Sequence, residues 1–346
     1  MNKRHLIQTN EVSEQTKKSL KVRVITSIVA TAIVLPCLFV GDWLYLALIL
    51  VATAFGGWEL VHCAKRKYNP TLYIVAILIV LLFACFPILQ NVMKAFLDEN
   101  LEHFPVWKGF DTIYVSSFLI LIGIVLCFSC VLIDKNFQVH DAAYLFAFGC
   151  LLGLGMQSLL FLRYTPMFEM YDPKFVGDII PEHTAIYDYA ESASLLLLIV
   201  AGSLFSDMGA YFAGILFGKT KMNERISPKK TWEGFAGGIV VSMIFTLSLG
   251  YGLAAAGHPI IKIFDLHNWY YLLIISILLP LVSPLGDFIF SSVKRYYDVK
   301  DFGSILPGHG GVLDRIDSVL FASIVSSILI IIFTCIETGH WGNLLI

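Results

Sequence analysis

Long apolar runs alternate with short polar breaks along almost the whole chain. Nine stretches, about 24–40, 43–62, 72–89, 113–133, 141–162, 192–217, 232–256, 269–289 and 315–336, are apolar over lengths that suit ~30 Å of hydrocarbon when wound as helices. A barrel strand would show only ~10 residues of alternating polarity. A bilayer also requires each spanning segment to satisfy its own backbone groups, as a helix does. The pattern therefore predicts an all-α fold, a polytopic helical membrane protein with about nine transmembrane helices. Three regions follow: a polar segment 1–23, transmembrane helices with a long outer loop over 24–190, and a carboxyl-terminal membrane region 191–346 carrying two polar loops on one side.

Composition agrees with the pattern. Of 346 residues 57% are hydrophobic and 14% charged, where a soluble domain carries about a quarter charged residues. The net charge of −2 gives no global field for a nucleic-acid partner. The seven cysteines lie in or at the ends of apolar runs. Cys127 and Cys130 form a CxxC without a second Cys or His pair, so they read as small membrane-embedded residues and not as a metal or disulfide site. The polar head before the first run, and the quick succession of a second, predict a retained anchor and no cleaved signal.

Sidedness comes from the distribution of charge. Most Lys and Arg fall in the amino-terminal segment and in the breaks after the second, fourth, sixth and eighth runs, whereas the opposite side holds Lys94, Lys108, Arg163, Lys174 and Lys262. The positive-inside rule then places the amino terminus in the cytoplasm. It also places the loops 218–231 and 290–314 together on that face, although two spans separate them. A miscount of one span would put them on opposite faces. The outer segment 163–191 is acidic and suggests no chemistry of its own.

Charge that is scarce elsewhere gathers in Ser291–Asp317, where four cations, four carboxylates, a histidine and a Gly-His-Gly-Gly turn lie between two apolar runs. On a helix Ser283, Asp287, Ser291 and Arg295 form one stripe, with Gly286 and Lys294 beside it. A carboxylate near hydrocarbon is costly unless paired, so Asp287 is a functional candidate; a side chain snorkelling into the headgroups is the plainer alternative. The loop returns through Pro307-Gly308-His309-Gly310-Gly311 and opens the last span with Asp314-Arg315-Ile316-Asp317. Glycines allow close backbone approach to phosphate, and a helix start offers free N–H groups. Asp314 and Asp317 stand one turn apart and can hold a hard cation with Asp287, or else simply cap the helix and pair Arg315.

In the other polar loop, Ser227 followed by Pro228 predicts a helix start with Lys229 and Lys230 in its first turn. Cations oppose the helix dipole there, which points to a bound anion; positive-inside anchoring is the simpler account. Gly218-Lys-Thr lacks the upstream glycine of a P-loop. Asp207, ~15 Å from the end of the sixth span, shares a face with Ser203 and Tyr211. It is either part of a cleft or a structural hydrogen-bond partner. Glu59 has no such neighbours in the sequence, and Glu233 stands at a helix start, where acids are ordinary.

These residues also resemble a family. Ser291-x-Val-Lys-Arg, then Lys300-Asp-x-Gly, then Leu306-Pro-x-His-Gly-Gly-Val-x-Asp-Arg-Ile-Asp317 is similar to the signature of phosphatidate cytidylyltransferases (CDP-diacylglycerol synthases). Ser227-Pro-Lys-Lys-Thr-Trp-Glu-Gly234, Asp207-x-x-Ala-Tyr211 and Gly286-Asp287 resemble that family's other landmarks. The likeness covers about 203–318; the preceding part matches only as a membrane region. It implies transfer of a cytidylyl group from CTP to phosphatidic acid with Mg²⁺, by a homodimer in the bacterial inner membrane with a cytoplasmic site. It further implies that Asp287 and Asp314 hold the metal, with Asp317 and Asp301 as weaker ligands or orienters. Lys294, Arg295, Lys300 and Arg315 would bind phosphates. Lys229 and Lys230, with Ser227, Thr231 and Asp207, would contact substrate. Gly308, Gly310 and Gly311 would line the phosphate pocket, and His309 would donate a hydrogen bond. Asn at 287 or 314 is expected to remove activity without loss of folded protein. A CTP-dependent lipid-alcohol kinase and a membrane transporter remain alternatives; the Asp-Gly-x-x-Ala-Arg stretch of CDP-alcohol phosphotransferases is absent from the sequence.

Overall fold

The computed structural model describes residues 14–64, 68–85, 111–170 and 193–338. Residues 1–13, the end of the expected third span and most of the acidic 163–191 segment lie outside them. The helices are α1 Glu14–Val40, α2 Asp42–His62, α3 Pro70–Ala84, α4 Asp111–Ile133, α5 Val139–Met170, α6 Ser194–Phe217, α7 Trp232–Ala255, α8 Trp269–Tyr296 and α9 Leu313–Thr338. Seven contain a segment long and apolar enough to cross a membrane, and α3 and part of α4 are shorter apolar helices. The chain is a multi-pass helical membrane protein, with one helix for each apolar run of the sequence.

Two apolar cores are joined by α5, which lends Leu145 to one and Leu152 and Met156 to the other. The first holds Val61 of α2, Leu72 and Ile79 of α3, and Cys127 of α4. The second gathers Leu196, Ile275, Phe290, Leu313 and Leu320 from α6, α8 and α9. By contrast α1 leaves Ile25, Ile28, Val29 and Ile33 exposed, as lipid-facing residues are. Without a hydrophobic drive between helices in lipid, small residues decide which pairs approach closely. On α6 and α7 a Cβ at Gly238 would lie 2.7 Å from the Ser206 carbonyl, one at Gly234 2.7 Å from the Ala210 carbonyl, and one at Gly237 would strike the Ala213 methyl. Ser242 Oγ donates to the Gly202 carbonyl at 2.8 Å across the same seam. On α8 and α9, a Cβ at Gly286 would strike the Asp317 carbonyl.

One element departs from the sequence expectation. Ser227–Thr231 is a β-strand, β2, paired antiparallel with β1, Lys221–Asn223, and not a helix start. The Asn223 side chain accepts from the amides of Arg225 and Ile226 at 3.1 and 3.2 Å, which turns the chain back before a helix can nucleate. Helix α7 begins later, with Thr231 as its cap: Thr231 Oγ1 accepts from Gly234 N at 3.2 Å. Glu233 accepts from the amides of Lys219 and Thr220, both at 3.1 Å, and ties the hairpin to the helix.

Candidate active site

The two polar loops meet. Lys230 of β2 places Nζ 2.6 Å from Asp287 Oδ2 on α8, and 4.4 Å from the Phe288 ring centre. Arg295 Nε donates to the Ile226 carbonyl of the hairpin turn at 3.3 Å. These contacts require the two loops to share one end of the bundle. The α8 stripe continues as helix past the apolar run to Tyr296. Along it Ser283 Oγ lies 2.6 Å from Ser203 Oγ of α6, and Ser291 Oγ donates to Asp287 Oδ1 at 3.0 Å. Asp207 of α6 is exposed and close enough to Lys230 and Asp287 to feel their charges, which places it in the cleft.

Because β2 is a strand, successive side chains point to opposite faces. Lys230 turns inward to Asp287, while Lys229 is exposed. The two lysines, expected as neighbours in a helical first turn, are thus separated. Thr231 is buried, and its Oγ1 is employed as the acceptor that caps α7. The Lys230 ammonium has no hydrogen-bond acceptor beyond its ion pair with Asp287 among the described residues.

Asp314 is differently employed from Asp287. Its Oδ1 accepts from Lys294 Nζ at 2.8 Å, and Oδ2 from the amides of Phe302 and Gly311 at 2.8 and 2.9 Å. Both side chains of that ion pair are nearly inaccessible, at 9% and 3%, whereas Asp287 is 32% exposed. Lys294, expected on phosphate, is thus held inside by Asp314 and lies 5.4 Å from the Phe302 ring centre. Asp317 is buried, with Oδ1 accepting from the Ser318 amide at 2.8 Å. The cations left facing outward are Arg295, Lys300 and Arg315, with Asp301 exposed beside them.

The glycine turn is folded tightly. Leu306 N donates to the Gly310 carbonyl and His309 N to the Leu306 carbonyl, each at 2.9 Å. Gly308 and Gly310 take φ of 76° and 87°, values that a side chain disfavours. Helix α1 rests on this turn: Thr26 Oγ1 donates to the Pro307 carbonyl at 3.0 Å, and Ser27 Oγ lies 3.1 Å from His309 Nε2. The other ring nitrogen of His309 is buried without a partner among the described residues. The expected helix-start phosphate site is occupied from within, because Glu59 of α2 accepts from the Val312 and Leu313 amides at 2.9 Å each. Those N–H groups are not free to bind phosphate.

A family model described as the cytidylyltransferase family matches residues 21–333. The chain belongs to the cytidylyltransferase family. A Bacillus subtilis (strain 168) protein named phosphatidate cytidylyltransferase is 50% identical over 116 residues, 34% of this chain and 39% of that protein. A Staphylococcus aureus (strain COL) protein of the same name is 30% identical over 312 residues, 90% of this chain and 99% of that protein. A Staphylococcus saprophyticus relative, named likewise, is 30% identical over 313 residues with the same shares. The family match begins in α1 and ends in α9, so it takes in both polar loops and the amino-terminal helices that brace them.

Two members of this candidate site in the cytidylyltransferase chain were not legible in the sequence. Glu59 lies more than 240 positions from the amides it caps, so no local pattern could reveal it. The contact of α1 with His309 spans 282 positions and has no sequence signal either.

Proposed function

We infer that this protein transfers the cytidylyl group of CTP to phosphatidic acid, forming CDP-diacylglycerol and pyrophosphate. The observation that carries the inference is the 2.6 Å contact of Lys230 with Asp287, which joins the two polar loops into a single site at one end of a membrane bundle. Full-length similarity to proteins named phosphatidate cytidylyltransferase supports it. A site at the end of the bundle suits one soluble and one lipid substrate.

The lipid phosphate oxygen is already a nucleophile. It attacks the α-phosphorus of CTP; the new P–O bond forms as the bond to the bridging oxygen breaks, and that electron pair leaves with pyrophosphate. Two anions must approach, so neutralisation and alignment are the main tasks of the protein. Arg295, Lys300 and Arg315 are outward-facing and serve the phosphates. Lys230 stands ready to exchange its Asp287 partner for a phosphate oxygen. Lys294 acts differently, by holding Asp314 in place.

The donor set suits Mg²⁺, whose preferred ligands are carboxylate and phosphate oxygens. Among the described residues no three potential ligands converge, so a metal here would be shared between one or two carboxylates and the substrate phosphates. Asp287 is partly open and Asp207 beside it is exposed, so both can offer oxygen; Asp314 would have to release Lys294 or a backbone amide to take part. Bound there, Mg²⁺ would draw charge from the departing pyrophosphate. The proposal includes a cytoplasmic amino terminus and active site in the cell membrane, and a homodimer, which native mass spectrometry in detergent would count. The decisive assay is purified protein with labelled CTP, phosphatidic acid and Mg²⁺. A labelled lipid and pyrophosphate are expected; CDP with a phosphorylated lipid alcohol would establish a kinase instead.

A further inference from the structure

We propose that Glu59 is a positioning residue for the transfer reaction, holding the 301–312 loop in its working shape from a helix in the other half of the chain. This rests on the function inferred above. Glu59 is fully buried, and each carboxylate oxygen accepts one backbone amide, Val312 on Oε1 and Leu313 on Oε2, both at 2.9 Å. The amide immediately before them, Gly311 N, donates to Asp314 at 2.9 Å. Three consecutive N–H groups at the start of α9 are therefore divided between two carboxylates, one within the helix and one brought by α2. Asp314 also takes the Phe302 amide and Lys294, so a displacement of the α9 start is passed to the far end of the loop and to α8.

The loop is shaped to admit the carboxylate. A Cβ on Gly303 would lie 2.6 Å from Glu59 Oε1, and a Cβ on Gly311 would strike the same group. The two glycines stand near the two ends of the loop, so Glu59 fills the space beneath it and fixes their separation. A second brace comes from α1, through Thr26 on the Pro307 carbonyl and Ser27 on His309. Glu59 touches none of the outward-facing cations; its effect passes through the backbone it holds.

Glu59→Gln tests this with little change of shape. The amide keeps one acceptor oxygen but turns an NH₂ toward a backbone N–H, so one of the two bonds is lost. The expected result is a kcat lower by roughly 10- to 100-fold with KM for CTP little changed, as for other residues that orient a site from behind. Hydrogen exchange should quicken in the peptide covering 301–313 and stay as in the wild type across α6 and α7. Glu59→Asp, too short to reach both amides, should show the same split. Wild-type kcat in Glu59→Gln, or exchange accelerated equally in every helix, would overturn the proposal. So would failure of both variants to yield folded protein, which would make Glu59 a core residue alone. A wild-type protein forming no labelled lipid would sink the functional inference separately, since the exchange experiment needs no substrate.

Discussion

At the scale of single residues, the two aspartates that the sequence treats alike are placed differently. Asp287 is partly open, at 32% exposure, and paired with Lys230, at 26%. Asp314 is sealed against Lys294 and two backbone amides. Asp287→Asn should therefore abolish turnover with a smaller fall in melting temperature than Asp314→Asn, measured by the labelled-lipid assay and a thermal unfolding scan. Asp314→Asn strands Lys294 in a buried site, where loss of one ion-pair partner costs about 3–5 kcal/mol. Its inactivity should come with a lowered melting temperature, so the expectation that both variants keep their fold now applies to Asp287 alone. Lys229 and Lys230 divide in the same way. Lys230→Met should cost far more activity than Lys229→Met, because only Lys230 reaches Asp287; equal losses would argue that both bind phosphate directly.

At the scale of elements, the hairpin and its junction with α7 set the reach of Lys230. Thr231→Ala removes a helix cap worth about 1 kcal/mol and should lower stability by that order. Since the cap is also the last strand residue, activity should fall further than the stability loss explains, through displacement of Lys230. Gly286 is a second such point. A methyl there would strike the Asp317 carbonyl, so Gly286→Ala must push α8 from α9. Overpacking of this kind costs about 1–3 kcal/mol, readable as a lower melting temperature. Helix positions and most boundaries were legible because apolar length and composition are properties of a local window. The hairpin was misread as a helix start because Ser-Pro is a good helix signal locally, while the Asn223 turn and the pairing with β1 outweigh it.

For the molecule as a whole, the arrangement predicts a sidedness that can be measured. In a background freed of native cysteines, single cysteines at the exposed positions Lys219 and Lys300 should react with a membrane-impermeant maleimide in inside-out vesicles and stay protected in intact cells. Labelling of one in each preparation would place the loops on opposite faces and contradict the contact between Arg295 and Ile226.

The sequence by itself determined the helical membrane class and most of the polar residues that gather near the candidate site. Each of these follows from hydrophobic length, charge counts and short motifs, which do not depend on distant parts of the chain. Only the tertiary structure decided which of those residues face outward and which brace the others. Lys294 turned inward to Asp314, Lys230 crossed to Asp287, and Glu59 took the amides at the start of α9. The physical reason is common to all three. A buried charge or amide must find a partner, and in a bundle of packed helices that partner is set by which surfaces meet, over separations no local pattern can encode.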